Sequence, residues 1–366
     1  MLITVLFYIF VAVTVIQFIY YLLFSLLPFK SKLLKEETKE SKGISVIVYI
    51  KNNADELVQN LPAIINQKYS NFEIVLVNHA SYDASLEIMT NFQQKHSNIK
   101  IVNVENQETF WDNKKYALTL AIKASANKHL IFADINAKPF SNYWIEEISQ
   151  KFTNKKTIVI GYQKLIGKKY SASNLFIRFV HTLNALKTFT LANLGSPYKA
   201  HQGNFAYSKE LFFNVKGFIN HLKLSSGESD LFLKDAATSE NTAVLISPNS
   251  FVTRKKIVGL HEFVSQQKTQ AKLFSLYTTK NKIVLSIFNL SKILFIFLAV
   301  ILSFFNWTIT LPVVVFYFIF QYILAGKAIS RLKEPQLLYF LPILDICYVF
   351  FVIYTRISNT ISKPTL

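Results

Sequence analysis

Asp134 and Asn136 are the residues whose types and spacing first point to chemistry. They follow a short apolar run, His129 to Ala133, and a turn at Pro139 comes soon after them. A carboxylate at the carboxyl end of a buried strand lies where an open α/β sheet presents its ligand-binding groups. The sequence therefore predicts a ligand-binding site here.

A second acidic motif, SGESD, spans Ser226 to Asp230 and precedes a predicted helix, Leu231 to Ala237. Carboxylates at a helix N-terminus are favoured by the helix dipole, so a structural cap is one interpretation. Asp230 alone would provide that cap. Glu228 then has no structural explanation, which makes it a candidate functional residue.

The residues around Asp134 alternate between strand and helix patterns. The predicted strands are 44–50, 72–77, 99–104 and 129–133, and the predicted helices between them are 54–67, 83–94 and 114–126. Strands and helices of these lengths predict βαβ units and a mostly parallel sheet, that is, an α/β fold. Ligands then bind above the carboxyl ends of the strands, near Lys51, His79 and Asp134.

The second half of this polar region is less regular. We predict a strand at 158–162, a long amphipathic helix at 175–194, and a strand at 203–207 followed by a helix that opens at Ser208.

Apolar segments of the kind found in membranes flank this polar region. The 366 residues are 51% hydrophobic and 15% aromatic, which is too apolar for an ordinary soluble domain. Residues 2–28 carry no charge and are long enough to span a bilayer, where roughly 20 residues suffice. A cleaved signal peptide is the weaker alternative, because the run is too long and no basic residue precedes it.

The flanking charges predict orientation. Five lysines between residues 30 and 42 follow the first span and mark its cytoplasmic side, so the polar region is expected in the cytosol. Three further apolar stretches, 283–305, 311–326 and 337–354, lie near the C-terminus. The last contains Pro342 and Asp345, which favours a re-entrant or interfacial element that pairs Asp345 with a polar or basic neighbour.

The formal net charge of +18 does not indicate nucleic acid, because no recognition-helix or aromatic-basic RNA pattern is present. Attraction to anionic lipid headgroups explains it better. The single cysteine, Cys347, allows neither an internal disulfide nor a cysteine-based zinc site.

With these residues in place, the chain resembles membrane-bound family 2 glycosyltransferases of the GT-A fold. Six segments, in the family's order and at about its spacing, carry the resemblance. They are SVIVYIKNNADELVQNLPAI, NFEIVLVNHASYDAS, FWDNKKYALTLAIKA, HLIFADINAKP, GNFAYSKELFFNVKGF and SGESDLF. The resemblance implies a nucleotide-sugar donor bound across the strand ends and a Mg²⁺ or Mn²⁺ ion held by a D-x-D pair. It also implies a carboxylate base and a single, inverting displacement.

Several family positions depart from this pattern. The second aspartate of D-x-D is Asn136, which weakens the expected metal site. In the D-x-S-x-D motif His79 replaces the first aspartate, whereas Ser81 and Asp83 remain. Asn53 stands where glutamate is common. Of the Q-x-x-R-W motif, only a remnant at 266–268 is present.

The resemblance assigns roles residue by residue. Glu228 is the expected base, with Asp230 as the second catalytic candidate. The expected metal ligands are Asp134 and Asn136. The expected donor-binding residues are Lys51, His79, Asp83, Lys114, Asp134 and Asn136, and the acceptor-side residues are Trp111, His201 and Gln202.

Two functional classes follow from these assignments. One is a glycosyltransferase acting on a lipid-linked or cell-envelope glycan in the cytoplasmic membrane. The other is a pseudoenzyme that serves as a binding or assembly subunit. A transporter is disfavoured because the spans show no paired repeats. The expected organisation is an N-terminal span (1–28), a charged linker (29–42), a GT-A domain (43–256), an amphipathic interface segment (257–282) and a C-terminal membrane region (283–366).

Overall fold

The computed structural model describes residues 1–26, 28, 41–105, 114–167, 171–255 and 259–361. These residues form two compact units. One takes its residues from 31–167 and 191–257 and contains all the strands; the other takes them from 1–30, 168–190 and 258–365 and is helical.

The strands are β1 (Ile44–Ile50), β2 (Phe72–His79), β3 (Ile99–Val104), β4 (His129–Asp134), β5 (Ala137–Pro139), β6 (Ile158–Gly161), β7 (Gln163–Leu165), β8 (Asn204–Ser208), β9 (Thr242–Leu245) and β10 (Val252–Arg254). The helices are α1 (Leu2–Leu26), α2 (Ala54–Ile65), α3 (Ser85–Lys95), α4 (Lys114–Ala124), α5 (Trp144–Ser149), α6 (Ala172–Asn193), α7 (Lys209–Asn214), α8 (Glu228–Ala236), α9 (Leu260–Phe274), α10 (Thr279–Arg331) and α11 (Leu341–Ile361).

The main sheet has seven strands in the order β3-β2-β1-β4-β8-β6-β9. Strands β3, β2, β1 and β4 run parallel, whereas β8 is antiparallel to both β4 and β6. Parallel strands are covered on both faces, which explains why β1 is an almost uninterrupted buried apolar run. The predicted mostly parallel α/β fold is confirmed.

A second sheet has three short strands in the order β5-β10-β7. In it, Arg254 of β10 lies opposite Ala137 of β5 in an antiparallel pair. Neither this sheet nor β9 was predicted from the sequence, because strands of three or four residues are too short to show a period.

Most element boundaries lie within three residues of the predicted ones, and two differences bear on the site and on the domain limits. Helix α8 begins at Glu228, three residues before the predicted start, because Gly227 adopts a left-handed conformation with φ +87° and turns the chain into the helix. Most of α6, at 172–190, belongs to the helical unit, whereas the expected GT-A domain of 43–256 included it. The expected domain limits otherwise stay a prediction.

In the helical unit, three of the described helices are long and apolar enough to cross a membrane: α1, the 53-residue α10, and the segment Pro335–Asn359 that contains most of α11. A straight helix as long as α10 would measure about 80 Å, over twice the hydrocarbon thickness. The backbone of Asn306 departs from helical geometry, and Phe295 and Tyr317, equally spaced on its two sides, stack at 3.9 Å. Helix α10 therefore folds back as a hairpin, whose halves contain the predicted stretches 283–305 and 311–326.

A buried polar cluster holds these helices together. Lys292 pairs with Asp345 and donates to the Tyr21 hydroxyl at 2.6 Å, and Gln321 donates to the same hydroxyl at 2.7 Å. The Lys292 and Asp345 side chains are only 1% and 2% exposed. The expected basic partner of Asp345 is therefore present.

We predict that Lys292→Met strongly destabilises the helical unit, because it leaves the Asp345 carboxylate buried without its cation. The expected cost is about 3–5 kcal/mol. Thermal unfolding in detergent measures it, with the exposed Lys280→Met in the same helix as the matched control. The double variant Lys292→Met/Asp345→Leu should recover much of the loss. A melting temperature for Lys292→Met equal to that of Lys280→Met would contradict this account.

Candidate functional site

A cleft of about 410 Å³ opens at the carboxyl ends of β1 and β4. The register of these strands places Tyr49 opposite Asp134, so both strands end at the same edge of the sheet. The cleft is lined by Ile47, Tyr49, Lys51, Asn53, Lys114, Leu118, Phe132, Ala133, Asp134, Asn136, Gln163, His201, Gln202, Gly203 and Arg254.

Both carboxylate oxygens of Asp134 have polar neighbours. Its Oδ1 accepts hydrogen bonds from the backbone nitrogen of Asn136 at 2.9 Å and from the Asn136 side-chain amide at 3.0 Å. Its Oδ2 lies 3.8 Å from Nη1 of Arg254, and both side chains are about a quarter exposed, at 26% and 29%. Gly203 lies so close that a Cβ there would sit 2.8 Å from the Asp134 Cβ. The carboxylate is thus held in a fixed position against a cation.

Arg254 is a site residue that sequence reasoning missed. Pairing of β10 with β5 brings it beside the Asp134–Asn136 turn, and pairing of β10 with β7 brings Gln163 to the same cleft. No local signal marks Arg254. It is the only arginine of the α/β unit, whose other cationic side chains are lysines, and this is the one sequence feature that singles it out.

The cleft also holds two lysines. Lys114, at the start of α4, donates to the side-chain oxygen of Gln202, and its ammonium lies 5.0 Å from the centre of the Tyr49 ring. Lys51 follows β1, where its backbone nitrogen donates to the Asn53 side chain at 3.1 Å. The predicted residues Lys51, Lys114, Asp134, Asn136, His201 and Gln202 are therefore brought together.

Two predicted residues are placed differently. His79 is 2% exposed, and its Nδ1 lies 2.7 Å from the Tyr49 hydroxyl, so it stands behind that ring. Asp83 accepts hydrogen bonds from the backbone nitrogens of Ala54 and Ser85 at 3.0 Å, the first residues of α2 and α3, so it joins the starts of these helices. Neither lines the cleft. Trp111 lies outside the described residues.

Glu228 lines a smaller cavity next to the cleft. That cavity is lined by Leu118, Phe132, Gln202, Phe205, Tyr207, Phe218, Glu228 and Ser229. Three of these residues, Leu118, Phe132 and Gln202, line the main cleft as well. Glu228 therefore lies in a cavity that adjoins the main cleft, and Gln202 lines both.

The turn that presents Glu228 is fastened to α4. Lys115, only 1% exposed, donates to the carbonyl oxygens of Leu224 and Ser226. Burial lowers the pKa of the Lys115 ammonium, and the charge of Glu228 acts against this shift. Two neighbouring lysines thus have different roles: Lys114 faces the cleft, and Lys115 holds the turn in place.

Asp230 lies inside the domain at 4% exposure and lines neither cavity. Burial lowers the pKa of Lys199, and the Asp230 carboxylate opposes that shift. Its burial favours a structural role for Asp230, although the N-cap residue of α8 is Gly227 and no side chain caps the helix. Its catalytic assignment stays a prediction.

The residues at the cleft do not fit a divalent metal ion. Among the residues that the structure describes, Asp134 is the only carboxylate that lines the cleft, and the side-chain amide of Asn136 donates a hydrogen bond to it. No three histidine, cysteine, aspartate or glutamate side chains are grouped to hold a metal anywhere in the described part of the chain. Hard cations such as Mg²⁺ need several oxygen ligands, and here cationic side chains stand in their place.

Comparison with known proteins agrees with this geometry. Residues 45–224 match the glycosyl transferase family 2 model. The matched residues make up 180 of the 366, just under half of the chain, and most of them lie in the α/β unit. The chain is 28% identical over 138 residues to a poly-β-1,6-N-acetyl-D-glucosamine synthase of Staphylococcus epidermidis, a match that covers 36% of this chain and 32% of the relative. It is 38% identical over 71 residues to a cholesterol galactosyltransferase of Borreliella burgdorferi, covering 19% of this chain and 20% of the relative. The chain thus spans a third or less of the length of these curated relatives.

Among solved structures, a mannosyltransferase from Pyrobaculum calidifontis, in complex with GDP-mannose and Mn²⁺, superposes with a TM-score of 0.59. The match covers 98% of this chain and 100% of that one at 16% identity. The likeness confirms the GT-A fold.

We predict that Lys115→Met loosens the turn before α8. Losing charge-assisted hydrogen bonds costs about 1.5–3 kcal/mol, so amide hydrogen exchange at 224–230 should accelerate roughly ten- to hundredfold. Mass spectrometry after deuterium exchange measures this, and the exposed Lys123→Met on the same helix is the control. Unchanged exchange at 224–230 would show that Lys115 does not hold the turn.

Proposed function

We propose that the protein transfers a sugar from a nucleotide-sugar donor to a lipid-linked or cell-envelope glycan acceptor, with inversion at the anomeric carbon. One observation carries the proposal: a cleft with three cationic side chains, at the strand ends of a family 2 domain, adjoins a cavity that contains Glu228. Its volume lies within the roughly 300–1,000 Å³ typical of small-ligand sites. The solved structural neighbour binds GDP-mannose, a donor of this class.

The cationic side chains suit the departing half of the donor. Lys51, Lys114 and Arg254 surround the cleft, and a nucleoside diphosphate leaving group gains negative charge as its bond to the sugar breaks. Fixed positive groups stabilise that charge without reorganising at the moment of reaction. Asp134, kept in place by Asn136, offers its carboxylate as a hydrogen-bond acceptor for the donor's hydroxyl groups.

Glu228 suits the role of general base. Its carboxylate takes the proton of the acceptor hydroxyl while the hydroxyl oxygen attacks the anomeric carbon. The new carbon–oxygen bond forms on the face opposite the departing diphosphate, so a single displacement inverts the configuration. Gln202 lines both cavities and His201 precedes it, which supports the expected acceptor-side role of both residues.

The membrane helices support a lipid-linked or envelope acceptor. Helices α1, α10 and α11 expose many large apolar side chains, as lipid-facing helices do. Two relatives are named for a polysaccharide product and for cholesterol, a membrane lipid. With the lysines at 30–42, these observations support a multi-pass protein of the cytoplasmic membrane whose transferase domain faces the cytoplasm.

We predict that Glu228→Gln lowers the transfer rate about 10²–10⁴-fold because the amide cannot accept the acceptor's proton. Nucleoside diphosphate affinity should stay within about twofold, since Glu228 lies outside the main cleft. Transfer of radiolabelled sugar from a panel of UDP- and GDP-sugars to membrane lipid extract measures the rate. The exposed Glu240→Gln is the control. Full activity of Glu228→Gln would remove Glu228 from the mechanism.

The same panel separates a transferase from a binding subunit. A binding or assembly subunit would bind a nucleotide-sugar but give no labelled product with any acceptor. We expect labelled product in the organic phase with lipid extract and none with water-soluble oligosaccharides. The reverse pattern would contradict a lipid-linked acceptor.

A further inference from the structure

We infer that this site holds the donor's diphosphate with Arg254, Lys51 and Lys114 and without a divalent metal ion. The inference rests on the proposed function and names how its donor is bound. It departs from the D-x-D chemistry that the family resemblance implies.

The residues that line the cleft make it positively charged. Among the described residues, three cationic residues and one carboxylate line it, so this lining is positive before any ligand enters. A divalent ion would enter this positive environment with one carboxylate to offset it, and like charges repel most strongly where water is partly excluded. A diphosphate, by contrast, carries a negative charge, which is opposite to the net charge of the cleft lining.

The hydrogen bonds of Asp134 carry the second step. In a D-x-D pair two carboxylates approach each other, and a cation between them offsets their repulsion. Here the Asn136 amide donates directly to Asp134, at 3.0 Å, and the Arg254 guanidinium stands at the other oxygen. The positive charge that a metal ion would supply comes from the protein itself.

Arg254 is suited to replace the ion. Its planar guanidinium can donate two parallel hydrogen bonds to a phosphate, and it stays charged at every physiological pH. Pairing of β10 with β5 fixes its backbone beside the Asp134–Asn136 turn. Its ion pair with Asp134 is loose, at 3.8 Å, so a diphosphate can engage the guanidinium without breaking a close contact.

Calorimetric titration of the full-length protein in detergent with UDP and GDP, in EDTA and then in Mn²⁺, tests the inference. We expect dissociation constants within about threefold of each other in the two conditions. Electron paramagnetic resonance of Mn²⁺ gives a second readout, and the free-ion signal should be the same with UDP alone as with UDP plus protein. Binding that requires Mn²⁺ would overturn the inference but leave the proposed function standing. Absence of binding in both conditions would overturn both.

Two variants sharpen the test. Arg254→Gln should weaken UDP or GDP binding at least about tenfold in EDTA, whereas the exposed Lys155→Gln should not change it. Arg254→Lys keeps the charge without the fork and should give an intermediate affinity, which guards against misfolding of the glutamine variant. Asn136→Asp should create Mn²⁺-dependent binding and an Mn²⁺ resonance change that the natural sequence lacks. An unaltered affinity in Arg254→Gln would refute the role of Arg254.

Discussion

The register between β1 and β4 is the constraint on which the site depends. Because Tyr49 pairs with Asp134 in a parallel ladder, every residue that follows either strand emerges at one edge of the sheet. Lys51 and Asn53 reach the cleft from one strand, and Asn136 reaches it from the other. A slip of one residue would turn the side chain of Asp134 to the other face of the sheet. Backbone hydrogen bonds therefore decide the position of the carboxylate before any side chain contributes.

Lysines hold the structure in two different ways in the two units. In the α/β unit, the buried ammonium of Lys115 donates hydrogen bonds to the carbonyl oxygens of Leu224 and Ser226, so it fixes a turn. In the helical unit, Lys292 meets a full opposite charge, Asp345, and ties helices together. A buried ammonium bonded only to neutral carbonyls keeps its desolvation cost, and its pKa falls accordingly. Such an arrangement persists where the position of the turn matters, and Glu228 follows this one directly.

The local elements of the fold were accessible from the sequence, and its long-range pairings were not. Four parallel strands and the helices between them were predictable because β1, β2 and β4 are mostly buried apolar runs and the intervening helices have a regular period. Lys51, Lys114 and Asp134 were predictable for the same reason, since they stand at the ends of such elements. Arg254 was not, because it joins the cleft through the pairing of two three-residue strands that lie more than a hundred residues apart. His79 was predicted at the correct strand end, but a neighbouring tyrosine ring covers it.

Two departures from the family pattern, at positions 79 and 136, each place a side chain that is not a carboxylate where the pattern has an aspartate. Asn136 and His79 each replace a carboxylate, and each makes a hydrogen bond within the protein: Asn136 to Asp134, and His79 to the Tyr49 hydroxyl. Removing negative charge while keeping Lys51, Lys114 and Arg254 leaves a net positive cleft. In a site that relied on a metal ion, losing a carboxylate would remove a ligand. In a site that relies on cationic side chains, the same loss removes a competitor for those cations. Only the substitution at 136 changes the charge of the cleft lining, because His79 lies behind the Tyr49 ring and outside the cleft. The change at 136 acts in the direction of the metal-free binding that we infer.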